Sequence, residues 1–183
     1  MTKVAEHSEL SKGTLYLYFR NKESIVYELL LDFLNELKRR VEEAAKQEGS
    51  GYEKSKCILE TFSSYHRENE EYLNLSRYLD YQVSSVTDAG EEASRCFSVI
   101  DELKQISVGV IRGGQKDGSI RSDLDPALTA ATVVHVVESF LLKLSTRKQI
   151  VAERSKYEPK ELVEHLLGLI LSSLQKPTER EIL

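Results

Sequence analysis

The stretch SKGTLYLYFRNKE, Ser11 to Glu23, carries the strongest structural signal in the chain. Ser11 is a favourable N-cap, and Leu15 and Phe19, four residues apart, form the apolar face of the helix that it opens. A second short helix precedes it across a turn at residues 8–10. This spacing is typical of a helix-turn-helix, so the stretch predicts an all-α head whose second helix faces outward.

The outward face of the second helix has side chains that suit a DNA groove. Lys12 can neutralise a phosphate or reach guanine O6 and N7, and Thr14 offers a hydroxyl and a methyl group. Gly13 lets the backbone approach, and Tyr16 and Tyr18 can donate to phosphate oxygens. The alternative is an amphipathic core helix with two tyrosines whose hydroxyls reach solvent, and spacing alone does not decide between the two interpretations.

Composition indicates a globular protein with an uneven charge. The 183 residues suffice for one medium domain, or a small one fused to a larger one, and the net charge is −5. Residues 1–22 contain four basic and two acidic side chains, so a small basic tip precedes an acidic body. Cys57 and Cys96 stand far apart with no CxxC motif, and no secretory segment precedes them. We therefore expect a protein of the reducing cytoplasm.

The rest of the chain has the periodicity of helices. Apolar residues follow the i, i+3, i+4 rule from residue 25 to residue 41, and comparable runs cover 53–68, 71–84, 91–112, 126–144 and 159–174. Asp125 and Pro126 predict the start of the fifth of these runs. His135 and Glu138 interrupt its apolar residues, so we expect no membrane-spanning segment. Strand-like alternation is absent, and the predicted class is all-α.

The last two predicted helices are apolar around more of their circumference than one buried face requires. Such helices predict a surface that packs against a second copy of the chain, although they could instead be central helices of a monomeric bundle. Position 163 of the last helix is an apolar residue too, Val163, but no interface role is assigned to it. The predicted homodimer interface consists of Val133, Val137, Phe140, Leu141, Leu166, Leu167, Ile170 and Leu174.

Aromatic residues are dense between residues 52 and 97, where they could line an effector pocket or simply belong to the core. The candidates for contact with an apolar or aromatic effector are Phe62, Tyr65, His66, Tyr72, Tyr78, Tyr81 and Phe97. The four histidines lack metal-ligand spacing, and no nucleophile and base stand in a catalytic arrangement. We therefore expect no metal, no cofactor and no enzymatic activity.

The segment VAEHSELSKGTLYLYFRNKESIVYELL resembles the end of the DNA-binding domain of the TetR family of transcriptional repressors, and GSIRSDLDP resembles a weaker family signature before its dimerisation helices. The resemblance implies a homodimer that binds operator DNA and is released by a small-molecule effector. It implies that Lys12, Gly13 and Thr14 meet base edges or nearby backbone, and that Ser11 is the cap. It further assigns contacts with the DNA backbone and groove wall to Tyr16, Leu17, Tyr18 and Lys22.

Two features depart from the family pattern. Glu9 stands in the turn where family members usually have glycine, which puts a carboxylate near the phosphates. Met1 falls where the second family helix is already under way, so we expect a natural protein that is longer at its N-terminus. The chain as written would then comprise a partial helix-turn-helix domain, residues 1–26, and a helical effector-binding and dimerisation domain, residues 27–183.

Three functions remain open from the sequence. The resemblance favours a ligand-responsive repressor. A module that cannot bind DNA and forms inactive heterodimers with a full-length relative is a second hypothesis. A small hydrolase or carrier on a helical scaffold is a third, and the missing catalytic constellation argues against it.

Overall fold

The structure is a computed structural model that describes residues 1–82 and 90–176, except for the side chains of residues 78–82. This part of the chain contains helices and no strands, as predicted. The helices are α1 (Thr2–His7), α2 (Lys12–Tyr18), α3 (Lys22–Lys46), α4 (Gly51–Glu68), α5 (Glu70–Gln82), α6 (Glu91–Asp117), α7 (Pro126–Thr146), α8 (Lys148–Ser155) and α9 (Pro159–Leu174).

Side-chain caps fix several helix starts. Asn21 accepts a hydrogen bond from the Ser24 N–H at 2.8 Å at the start of α3. Ser50 and Glu53 form a reciprocal capping box at the start of α4. Asp125 accepts from the Leu128 N–H at 2.7 Å and Pro126 fills the first turn of α7, which confirms the predicted start of that helix.

The core lies where α3, α4 and α6 pack on one another. Helix α7 packs on α6, and helix α9 packs on α4. The fully buried side chains of the core include Leu34 and Leu37 of α3, Cys96 of α6 and Val137 of α7. Helices α4 and α6 approach so closely at residue 51 that a Cβ there would clash with the backbone of residue 114. Only glycine allows this close approach of α4 to α6.

Helix α7 is long and apolar enough over an 18-residue window to cross a membrane, although the sequence led us to expect no such segment. Core helices of soluble proteins pass the same test, so the observation is weak evidence for a membrane span. Within one chain only 22% of that window is buried. The apolar residues of α7 therefore exceed what its own core covers.

Candidate DNA-binding head and effector cavity

Helices α1 and α2 form a helix-turn-helix whose turn depends on Glu9. This residue has φ +57°, in the left-handed region, and the Leu10 N–H donates to the Ala5 carbonyl at 3.0 Å across the end of α1. Glutamate thus occupies the conformation that glycine adopts without strain. The Ser11 hydroxyl accepts from the Thr14 N–H at 3.0 Å and opens α2, as the sequence predicts.

The predicted DNA-contacting residues form one exposed surface. Leu15 is 4% exposed and anchors α2 to α1, whereas Leu17 is 84% exposed and Tyr18 is 78% exposed. Lys12 and Gly13 are exposed at the start of α2, and Lys22 is exposed at the first residue of α3. A core helix would bury such apolar and aromatic groups, so α2 is not a core helix over this face.

Helix α3 continues from the head into the body of the protein without a break. The predicted domain boundary after residue 26 falls inside this helix, and it stays a prediction. The N-terminal turns of α3 and α6 are joined by hydrogen bonds, because the Ser24 hydroxyl donates to Glu92 at 3.3 Å and Arg95 pairs with Glu28 at 2.5 Å. A movement of the N-terminal end of α6 would therefore act directly on the helix that carries the head.

An apolar cavity of about 100 Å³ lies inside the body, lined by residues of α3, α4, α5, α6, α7 and α9. Ligand sites usually enclose about 300–1,000 Å³, so a large ligand would have to push these helices apart. Its wall is mostly aliphatic, and several of its polar members have bonds within the chain. The Ser55 hydroxyl donates to the Gly51 carbonyl, Ser107 donates to the Leu103 carbonyl, and Lys104 pairs with Asp101 at 3.1 Å.

The predicted aromatic set is only partly at this cavity. Phe62 and Tyr72 line it, whereas Tyr65 and Phe97 do not. The Tyr65 hydroxyl donates to the Phe33 carbonyl at 2.8 Å, and burial raises the pKa of Tyr65 to about 12. Tyr65 is thus a structural residue that ties α4 to α3. The side chains of Tyr78 and Tyr81 lie outside the described residues. Sequence reasoning missed the aliphatic wall, because those residues show the same periodicity as any core.

His66 lies beside the cavity, in the wall of a separate groove of about 850 Å³ between α4 and the α7–α9 segment. The residue is 1% exposed. Its Nδ1 lies 2.7 Å from the Phe62 carbonyl oxygen, and its Nε2 has no hydrogen-bond partner within the described part of the chain. Burial lowers the pKa of His66 to about 4. No serine hydroxyl in the described residues contacts Nε2, so the histidine does not form a nucleophile and base pair there.

The predicted dimer residues divide into two groups. Val137, Leu141, Leu167 and Leu174 are buried in the core of their own chain, so they are not available to a partner as the sequence led us to expect. Val133, Phe140, Leu166 and Ile170 are half-buried. The apolar residues most open to a partner on the same two helices are Leu128, Val136 and Leu169, which are 69%, 43% and 57% exposed.

Val163, to which the sequence assigned no interface role, lies on the inner side of α9. It is half-buried, packs against the core of its own chain and lines the groove beside α4. Its place in the fold is therefore at the groove.

Comparison with known proteins connects this architecture to gene regulation. Residues 1–29 match the family described as bacterial regulatory proteins, tetR family. The chain is 32% identical over 127 residues to the HTH-type transcriptional repressor KstR2 of Rhodococcus jostii (strain RHA1), and the match spans 68% of this chain and 59% of that protein. It is 23% identical over 174 residues to the fatty acid metabolism regulator protein of Bacillus subtilis (strain 168), and that match spans 95% of this chain and 84% of that protein.

Solved structures share the fold. The transcriptional regulator FadR from Bacillus subtilis, determined with stearoyl-CoA, has a TM-score of 0.71 at 21% identity and covers 95% of this chain and 88% of its own. A regulatory protein in the tetR family from Rhodococcus RHA1 has a TM-score of 0.74 at 14% identity, and the match covers 97% of this chain and 86% of that protein. A helix-turn-helix head continuous with an all-α body defines the class of helix-turn-helix transcription regulators. Within that class, residues 1–29 of the chain match the tetR family, and the relatives of the chain are regulators rather than enzymes.

Proposed function

We propose that the chain is a ligand-responsive transcriptional repressor that binds operator DNA as a homodimer and leaves it when an apolar small molecule fills the cavity. One observation carries the proposal: α3 has Lys22 of the head at its first residue and Leu34, Leu37 and Val41 in the cavity wall. At about 1.5 Å per residue, these two functions lie roughly 18 Å apart on one helix.

The route from cavity to head involves two helices. Helix α6 contributes Ile100 and Leu103 to the cavity, and its first turn holds the start of α3 through Glu92 and Arg95. Because the empty cavity is small, a bound ligand separates α6 from α3 and shifts the head. Ligand and operator then favour different arrangements, so their binding is coupled, typically by about 1–3 kcal/mol.

The effector class follows from the cavity and the relatives. An aliphatic wall favours a hydrocarbon chain or another apolar body over a sugar or nucleotide. The Bacillus subtilis protein that shares the fold was solved with stearoyl-CoA, and a relative is described as a regulator of fatty acid metabolism. We propose a long-chain acyl thioester as the effector. The sequence suggests an apolar or aromatic effector, and an acyl thioester is a narrower class within the apolar group.

The dimer of the proposal uses the outer faces of α7 and α9. Leu128, Thr132 and Val136 lie at four-residue intervals on the exposed side of α7, where the threonine can contribute its methyl group. Leu169 lies on the exposed side of α9, with Gly168 beside it. A two-helix face of this kind can pack on its own copy to form a four-helix arrangement, which would cover the apolar surface that one chain leaves open.

The test begins with a DNA duplex selected from a random library by the purified chain. We expect dissociation of the selected duplex by stearoyl-CoA and no effect from coenzyme A alone. We also expect Lys22→Ala to reduce the slope of log affinity against log salt by about 2, because a dimer loses one phosphate contact from each head. The exposed Lys116→Ala on α6 is the matched control and should leave the slope unchanged. A chain that dimerises but selects no duplex would refute the repressor proposal and favour the heterodimer module.

A further inference from the structure

Three polar side chains of the effector cavity already have partners and are poorly placed to recognise the head of an amphipathic ligand. The hydroxyls of Ser55 and Ser107 donate to carbonyls of their own helices, and Lys104 pairs with Asp101. An apolar chain in the cavity therefore has its polar end elsewhere, because a polar group buried without partners costs several kcal/mol.

The groove beside α4 adjoins the cavity through a thin partition. Leu59 lines both spaces. Phe62 lines the cavity and His66, one turn later on α4, lines the groove, and their ring centroids are 4.1 Å apart. A ligand that displaces the Leu59 side chain would thus place its chain against Phe62 and its polar end beside His66.

His66 is arranged as a hydrogen-bond acceptor. Its Nδ1 lies 2.7 Å from the Phe62 carbonyl, which can only accept, so the ring proton is on Nδ1 and the lone pair is on Nε2. Burial keeps the pKa of His66 at about 4, so the ring is neutral at physiological pH. A buried lone pair with no partner in the described residues favours a ligand that brings an N–H or O–H donor.

The charges around the groove indicate an uncharged polar group. Its lining has four basic and four acidic side chains, so the wall has no net charge with which to select phosphates. An amide-containing arm meets this requirement better than an anionic head. The basic residues are Lys56, Arg67, Lys148 and Lys160, and the acidic residues are Glu60, Glu70, Glu158 and Glu164.

We propose that the groove holds the amide-containing arm of the acyl thioester whose chain fills the cavity, and that His66 Nε2 accepts a hydrogen bond from an amide N–H of that arm. This inference rests on the proposed function, which supplies the acyl thioester. It assigns His66 to ligand specificity rather than to packing or catalysis.

The test compares two probes that differ at one atom. S-stearoyl-N-acetylcysteamine has a thioester and one amide N–H, and its ester analogue replaces that N–H with oxygen. We expect titration calorimetry of the full chain to show about five- to tenfold tighter binding of the amide probe, the usual value of one net hydrogen bond. Equal affinities for the two probes would overturn the inference while leaving the proposed effector class intact. Failure of both probes and of stearoyl-CoA to bind would overturn the inference and the proposed effector class together.

A variant pair provides an independent measurement. His66→Phe keeps a planar ring and removes the acceptor, so the preference for the amide probe should disappear while the ester probe binds as before. His7→Phe is the matched control, because the Nδ1 of His7 makes the same bond to a carbonyl four residues earlier, at 3.0 Å to Lys3, but the side chain is exposed in the head. An equal loss of affinity for both probes in His66→Phe would refute the hydrogen bond and assign the residue to packing.

Discussion

Lowering the pH should destabilise the protein through His66. Burial holds the pKa of this side chain at about 4 in the folded chain, against 6.5 for an ordinary histidine. Between these values the unfolded chain binds a proton that the folded chain excludes, so stability falls as the pH falls. The contribution is fully present above pH 6.5 and is lost progressively down to pH 4.

The magnitude follows from the two pKa values. Moving from pH 7 to pH 5 should cost about 2 kcal/mol, and the full difference below pH 4 is about 3 kcal/mol at 1.36 kcal/mol per pKa unit. Since marginal stability is about 5–15 kcal/mol, the smaller figure is already measurable. The interval between pH 7 and pH 5 also lies above the ordinary pKa of carboxylates, so most of their titration falls outside it.

The assay is urea unfolding followed by circular dichroism at pH 7, 6 and 5, at one fixed protein concentration because a dimer's stability depends on concentration. His66→Phe should lose about 2 kcal/mol less than the wild type over this interval. His7→Phe should follow the wild type. Parallel curves for the wild type and His66→Phe would refute the claim that His66 is buried in its neutral form.

Three further changes test the head, the body and the dimer face. Leu169→Asp should weaken dimerisation at least about a hundredfold in sedimentation velocity, since each of two copies loses roughly 1.5–3 kcal/mol of burial. The control Ile150→Asp on α8, equally exposed at 56%, should leave dimerisation unchanged. An unchanged dimer in Leu169→Asp would show that α9 is not at the interface. Glu9→Gly should raise the free energy of unfolding by about 1 kcal/mol in urea because it relieves the left-handed strain, and Glu9→Ala, which keeps the strain, should not; equal gains would show that residue 9 is not strained. Gly51→Ala should lose about 1–3 kcal/mol in urea unfolding because its Cβ would clash with backbone, and Gly113→Ala, with no atom within 4 Å, should gain up to about 1 kcal/mol; a stable Gly51→Ala would disprove the close crossing.

Local signals predicted the helices well where they were strong. The cap at Asp125 and the proline after it marked the start of α7, and apolar periodicity marked α9. Helix α8 was missed because it buries no residue, so its sequence has no amphipathic pattern to find. The sequence predicted that α6 ends near residue 112, before the glycines, whereas the helix continues to Asp117. Gly114, inside the helix, packs against Ile120, and the helix ends at Gly118, which adopts the left-handed conformation.

The candidate sites were less accessible from sequence. The DNA-contacting residues stay a prediction from helix-turn-helix spacing and the family resemblance, and the structure adds that they are exposed, as Leu17 shows. The cavity could not be predicted, since Leu34 and Leu37 have the pattern of ordinary core residues whether or not space remains beside them. The groove depends on how α4 meets the α7–α9 segment, which is a tertiary relation that no local spacing encodes.

The outer face of α7 shows why the apolar excess of a helix is informative but ambiguous. Val137 and Leu141 lie four residues apart along α7, and one position away a second stripe runs through Leu128, Thr132 and Val136. The first stripe faces the core of its own chain, and the second is exposed. In the sequence the two stripes merge into one broad apolar surface. The periodicity therefore predicts that a second surface packs on α7, but it does not show which stripe faces the core of the same chain and which faces the second surface. The structure distinguishes the two stripes, because Leu141 packs in the core whereas Val136 is exposed.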